Sequence, residues 1–186
     1  MKTTVLGAGN TGSAFVKQLT RADLAARGVS QRRLIGSDTM NGLIQRLVAT
    51  DTHWGHLALR IPVGIIFAAH GAQKLFGWFG GYGLEGTGQW MASIGLHPGT
   101  LMALLAGGAE FFGGLALIVG LLVRPAAAAL AFNMLVAIVA VHLGNGLFAS
   151  NNGYEYALAL LAATVALTLS GGGRASLDRV LAGQGT

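Results

Sequence analysis

The sequence has no cysteine. That excludes a disulfide framework, a thiol nucleophile, an iron–sulfur cluster and a cysteine-ligated zinc within the chain. Charge is scarce too. Only 10% of the 186 residues are charged, where a soluble domain carries about 25%. Proline occurs three times, and the thirty glycines are scattered through apolar runs without a repeat. Neither an H-E-x-x-H metal motif nor a G-x-S-x-G nucleophile elbow occurs. These shortages exclude a disordered chain, a collagen-like chain and an ordinary soluble enzyme. What is abundant is oil: 53% of the residues are apolar and the mean hydropathy is +0.59. The length suits one domain, and the composition points to the bilayer.

A hydrocarbon core of about 30 Å takes ~20 mostly apolar residues as helix. Four segments qualify: 57–79, 100–123, 125–143 and the shorter 154–170. Span 125–143 has no formal charge, so it has no polar face to offer water in a soluble bundle. The expected fold is an all-α membrane protein, a bundle of four transmembrane helices in a domain over 57–182. Arg124-Pro125 is expected as the tight turn between the second and third spans, with Pro125 opening a helix. Asn151-Asn152-Gly153 is expected as the turn before the fourth. The glycine-rich stretch 80–99 reads as a short interfacial loop, helical over 87–94. It is either a cap at the membrane surface or a lid over a pocket.

The net charge of +5 does not indicate nucleic acid, because the basic residues sort by side. Lys2, Lys17, Arg21, Arg27, Arg32, Arg33, Arg46 and Arg60 precede or open the first span. Arg124 lies between the second and third, and Arg174 and Arg179 follow the fourth. Lys74 alone lies toward the other side. By the positive-inside rule both termini are expected in the cytoplasm, in a multi-pass protein of the cell (inner) membrane. Trp78, Tyr82, Trp90 and Tyr154 fall at the outer boundary and Trp54 at the inner one, as an aromatic belt does. Small-xxx-small pairs such as Ala103/Gly107, Ala109/Gly113 and Ala159/Ala163 allow close helix packing.

Residues 1–39 form a polar, basic extension. Met1–Val16 lacks the apolar core of a secretory signal peptide. Gly7, Gly9 and Gly12 make a G-x-G-x-x-G after a strand-like run, with Asp38 farther on, which is how a dinucleotide-binding unit opens. One partial βαβ unit cannot build a parallel sheet buried on both faces. The plainer reading is a fusion remnant or an extension upstream of a start at Met40. Residues 40–56 read as an interfacial lead-in helix, capped by Ser37 or Asp38.

Ionisable groups in hydrocarbon are costly, so each calls for a partner or a task. The first span carries His70, Gln73 and Lys74, with His70 and Lys74 on one face at i,i+4. Glu110 lies roughly 15 Å into the second span on the helix rise. Asn133 is near the middle of the third span and His142 near its outer end, and Glu155 opens the fourth. The pattern predicts a polar pocket in the outer half, formed by His70, Lys74, Glu110, His142 and Glu155 and floored by Glu110, with Lys74 or His70 as counter-charge. In the structural alternative, Lys74 and Glu155 sit at the headgroups and Glu110 is a neutral packing element. Arg60 is expected to snorkel to the surface as an anchor. Ligation of one haem by His70 and His142 is disfavoured, because their depths differ by about 5–10 Å on the helix rise. No metal site is expected.

Several runs resemble the DoxX family. They are Arg60–Gly77 (RIPVGIIFAAHGAQKLFG), Trp90–Leu96 (WMASIGL), Gly107–Gly114 (GGAEFFGG) and Gly171–Asp178 (GGGRASLD), in order and in spacing, across about 43–181. The resemblance implies a small four-helix integral membrane protein. The family takes its name from a subunit of an archaeal terminal quinol oxidase and thiosulfate:quinone oxidoreductase system. Other members are linked to membrane complexes of oxidative and thiol stress, and His70, Lys74, Glu110 and Glu155 are positions that members share. The implied function is therefore a redox-associated subunit, an oxidoreductase component by resemblance. It would use a non-covalently bound quinone and have the bilayer, other redox subunits or a second copy as partners. A non-enzymatic scaffold or assembly subunit is the alternative. A small transporter or proton pathway through Glu110 is a third reading, without the similarity between halves that inverted repeats would give.

Overall fold

The computed structural model describes residues 54–183, and among these there is no strand. The chain folds as α1 (Gly55–Phe76), α2 (Gly83–Ser93), α3 (Gly99–Val119), α4 (Val123–Ala137), α5 (Glu155–Ser170) and α6 (Leu177–Leu181). One π-helical turn, Ile138–His142, and a short 3-10 turn prolong α4. With them α4 makes one apolar rod over Val123–Asn145. It is one of three described helices long and apolar enough to cross a membrane, beside α1 and α3. The shorter apolar α5 completes an all-α membrane bundle. The G-x-G-x-x-G glycines Gly7, Gly9 and Gly12, Asp38 and residues 40–53 of the expected lead-in helix lie outside the described residues, while Gly55 and His56 at its end already belong to α1.

The helix ends follow backbone chemistry. α1 stops at Gly77 and α3 at Gly120, both left-handed (φ 72° and 75°), a conformation that costs glycine little. Span boundaries expected at Phe79 and Val123 therefore fall three to four residues earlier. The turn between α3 and α4 is Gly120-Leu121-Leu122 rather than Arg124-Pro125, and Pro125 is the third residue of α4. α2 has three turns, longer than the stretch 87–94 expected.

α1 and α3 meet backbone to backbone. A methyl group built on Gly64 would lie 2.7 Å from the Gly114 carbonyl oxygen, and one on Gly114 would lie 2.6 Å from that of Gly64. A methyl group on Gly71 would likewise lie 2.7 Å from the Gly107 carbonyl oxygen. Only glycine permits this approach, and dispersion across such a seam is what holds helices together in lipid. Gly113 faces the other way, toward Leu130 of α4. The core packs Phe67, Leu117, Val123, Ala127, Leu130, Leu160 and Leu167 together. Outward faces carry Phe112, Phe132, Val139 and Leu169, each 63–71% exposed. A surface this apolar needs lipid around it.

Arg60 departs from expectation. It does not snorkel; it is 1% exposed. Its guanidinium donates to the carbonyls of Leu117 and Ile118, both at 2.7 Å, and to that of Ala175. Those first two carbonyls belong to the last turn of α3, which has no intrahelical partners to offer them. Beside it, Asp178 accepts from the backbone N–H groups of Leu122 (2.6 Å) and Val123 (2.8 Å) and so caps α4 from α6. Ser176 caps α6 and also donates to Gly173 O. This knot closes the end of the bundle that carries the α3–α4 turn.

Candidate functional site

The opposite end of the bundle holds a cavity of about 650 Å³. α3 and α4 are in contact at Gly113–Leu130, and both line the cavity. Ala106 and Ala109 of α3 face it, as do Ala129, Val136 and Ala137 of α4. Trp90, Met91 and Leu96 close it from α2 and the loop that follows. Thr87 and Gly88, both buried, seat α2: Thr87 Oγ1 donates to Lys74 O at 3.5 Å, and Gly88 packs on Thr100. At the gap between α3 and α4, Leu105 and Phe132 stand exposed, so the cavity has a flank that lipid would face.

At the base of the cavity is a three-residue network from three helices. Lys74 of α1 donates from Nζ to Glu110 Oε2 of α3 and forms an ion pair with it. Asn133 of α4 donates from Nδ2 to Glu110 Oε1 at 2.7 Å. Both carboxylate oxygens are therefore held, and the Glu110 side chain is 3% exposed. Lys74 is 25% exposed, with N–H groups left over for whatever enters. In a site of low dielectric such a pair is strong, and removing one partner would strand the other.

The other candidates are distributed unequally. His70 lines the cavity and places Nδ1 2.9 Å from Ile66 O. His142, in the π-helical turn, also lines it, with Nδ1 2.8 Å from Asn152 O. Such one-turn bulges inside helices recur at functional sites because they re-aim a side chain. Tyr156 of α5 stands beside His70, ring centroids 6.4 Å apart. Glu155 does not join the pocket. Its Oε1 accepts from Ala149 N at 2.7 Å, so it ties down the loop before α5 instead. Asn133 belongs to the network although the candidate set omitted it. The signal was an amide in the middle of an otherwise uncharged span. Among the described residues no group of three or more His, Asp or Glu is arranged to hold a metal.

The fold and site together define a class: a multi-pass all-α membrane protein with a lipid-flanked cavity built over a buried ion pair. The DoxX family model matches residues 55–143, from the start of α1 to one residue past the π-helical turn. The chain is also 36% identical over 114 residues to the protein named "Putative oxidoreductase CatD" of Bacillus subtilis (strain 168). That match covers 61% of this chain and 78% of the relative. No solved structure matches it. The chain belongs to the DoxX family.

Proposed function

We propose that the protein is a redox-associated subunit of the cell membrane that binds a quinone-class amphiphile between α3 and α4. The observation that carries this reading is the cavity, apolar along its flank and charged at its base. Its volume of about 650 Å³ falls in the roughly 300–1,000 Å³ range of small-molecule sites. A quinone, when bound, supplies two-electron, two-proton chemistry. The chain's own residues bind and orient: Lys74 donates to a ring oxygen, Glu110 holds Lys74 in place, and Asn133 fixes Glu110. The alanines of α3 and α4 leave room for an apolar chain to pass into lipid, and Trp90 and Met91 cover the ring. Electrons pass to or from a partner subunit. The oxidoreductase name of the Bacillus subtilis relative supports the same class. The basic residues support an orientation with both termini in the cytoplasm and the cavity in the outer half.

The test is direct. Protein purified in mild detergent is extracted and its small molecules identified by mass spectrometry, and a decyl-chain benzoquinone is titrated into the emptied protein. A co-purifying quinone and saturable binding are expected. No quinone and no saturable binding would shift the assignment to a scaffold subunit, which the exposed small residues Ala159, Ala162 and Ala166 on α5 would suit as a face for another helix.

A further inference from the structure

We infer that His70 and His142 make the site selective for the reduced, dihydroxy form of its ligand over the oxidised, dicarbonyl form. The inference rests on the proposed quinone-class reading and deepens it. Both imidazoles line the cavity. Each has Nδ1 within hydrogen-bond distance of a backbone carbonyl oxygen, Ile66 O at 2.9 Å and Asn152 O at 2.8 Å. A carbonyl oxygen can only accept, so Nδ1 must carry the proton in both rings. Asn152 O also accepts from Asn145 Nδ2 at 3.2 Å, which places it firmly in the acceptor role. In the neutral imidazole the remaining nitrogen, Nε2, then has a lone pair and no hydrogen. The backbone thus fixes the same tautomer twice, on two different helices, and each leaves an acceptor nitrogen on a ring that lines the cavity.

A ligand meeting two acceptors must bring donors. The hydroxyl groups of a hydroquinone supply them. The carbonyl oxygens of the oxidised ring bring only lone pairs and would leave each Nε2 desolvated without a partner. Sites that hydrogen-bond a hydroxyl discriminate strongly against the analogue that lacks one, because the unpaired polar group bears the cost. Lys74 is neutral to this choice. Its N–H groups can meet a carbonyl or a hydroxyl oxygen equally, so it supports binding of either form.

The experiment uses the full chain in phosphatidylcholine nanodiscs under anaerobic conditions. A decyl-chain benzoquinone and its chemically reduced hydroquinone are each titrated calorimetrically. The hydroquinone is expected to bind about tenfold tighter, the scale of one to two net hydrogen bonds. In His70→Ala/His142→Ala the ratio is expected to fall to about twofold or less, with quinone affinity within about threefold of the wild type. That retained affinity also shows that the variant is folded. His70→Gln, which keeps a side-chain acceptor, is expected to retain part of the preference. Equal binding of the two forms by the wild type, or a preference that survives in the double variant, overturns the inference while the quinone-class reading stands. Binding of neither form overturns both.

Discussion

Two buried charged clusters sit at opposite ends of the same bundle, and they are built differently. At the turn end, Arg60 and Asp178 spend their charge on the backbone, on the last carbonyls of α3 and the first N–H groups of α4. Each is 1% exposed, and the groups they satisfy are ones that every helix end leaves orphaned. At the cavity end, Lys74 and Glu110 spend their charge on each other, with Asn133 as third member, and Lys74 keeps a face open. The first cluster closes a fold. The second leaves Lys74 partly uncovered at the wall of the cavity, which is the feature the proposed ligand site rests on. What differs between the two clusters is the partner of each charge, backbone at one end and side chain at the other.

The comparison breaks first, and most visibly, at the turn end. Arg60→Leu would strand three carbonyls in an apolar setting, and Asp178→Ala would strand two N–H groups while leaving Arg60 without its nearby countercharge. Each is expected to cost about 3–5 kcal/mol, read as a large fall in thermal midpoint in detergent and in the yield of monodisperse protein. If both variants keep the wild-type midpoint, the knot is not structural and the contrast fails.

Next in size is the opposite pattern at the cavity. Removing both charges together, in Lys74→Met/Glu110→Gln, leaves no stranded ion, and such replacements are often neutral for stability. The expected change in thermal midpoint is small, within about 1 kcal/mol. Affinity for the decyl-chain benzoquinone is expected to fall at least about 30-fold, or ~2 kcal/mol. A large loss of stability with unchanged binding would reverse the roles of the two ends. The lipid-facing flank gives a smaller effect. Ala106→Phe and Ala137→Phe narrow the gap between α3 and α4, and each is expected to weaken a decyl-chain quinone about tenfold while sparing a chainless benzoquinone. Equal losses for both ligands would place the chain elsewhere.

The difference between the ends also explains what the sequence could reveal. The four apolar helices were legible because each is a local property of one uninterrupted run. Lys74 and Glu110 were legible as a cost, since an ion in hydrocarbon requires a partner. In sequence Arg60 has the look of a snorkelling anchor because its acceptors lie 57, 58 and 115 residues away, and all are backbone, which carries no side-chain signature. The start of α4 is hidden for the same reason: its cap is Asp178, 55 residues beyond Val123. Glu155 looked like a pocket residue by depth, but a loop N–H six residues earlier captured it. Periodicity reports which face a residue occupies; it does not report which long-range backbone group will claim its side chain.

Asn133 is the finest test of the contrast, because it touches the network without bearing charge. Its amide holds Glu110 Oε1 at 2.7 Å, while Lys74 holds the other oxygen. In Asn133→Leu the carboxylate keeps its ion pair but loses the bond that stops it from swinging about that pair. Glu110 lines the cavity, so water entering there can replace the lost donor and limit the cost. Affinity for the decyl-chain benzoquinone is expected to fall only about three- to fivefold, close to 1 kcal/mol, with a comparable loss of stability. Asn133→Asp should do more damage, since it sets a second carboxylate against the first. A threefold effect in the leucine variant and a larger one in the aspartate variant would mark Asn133 as a positioning residue. Were both variants to bind as the wild type does, Glu110 would be held by Lys74 alone, and the cavity would need no third helix to aim its charge.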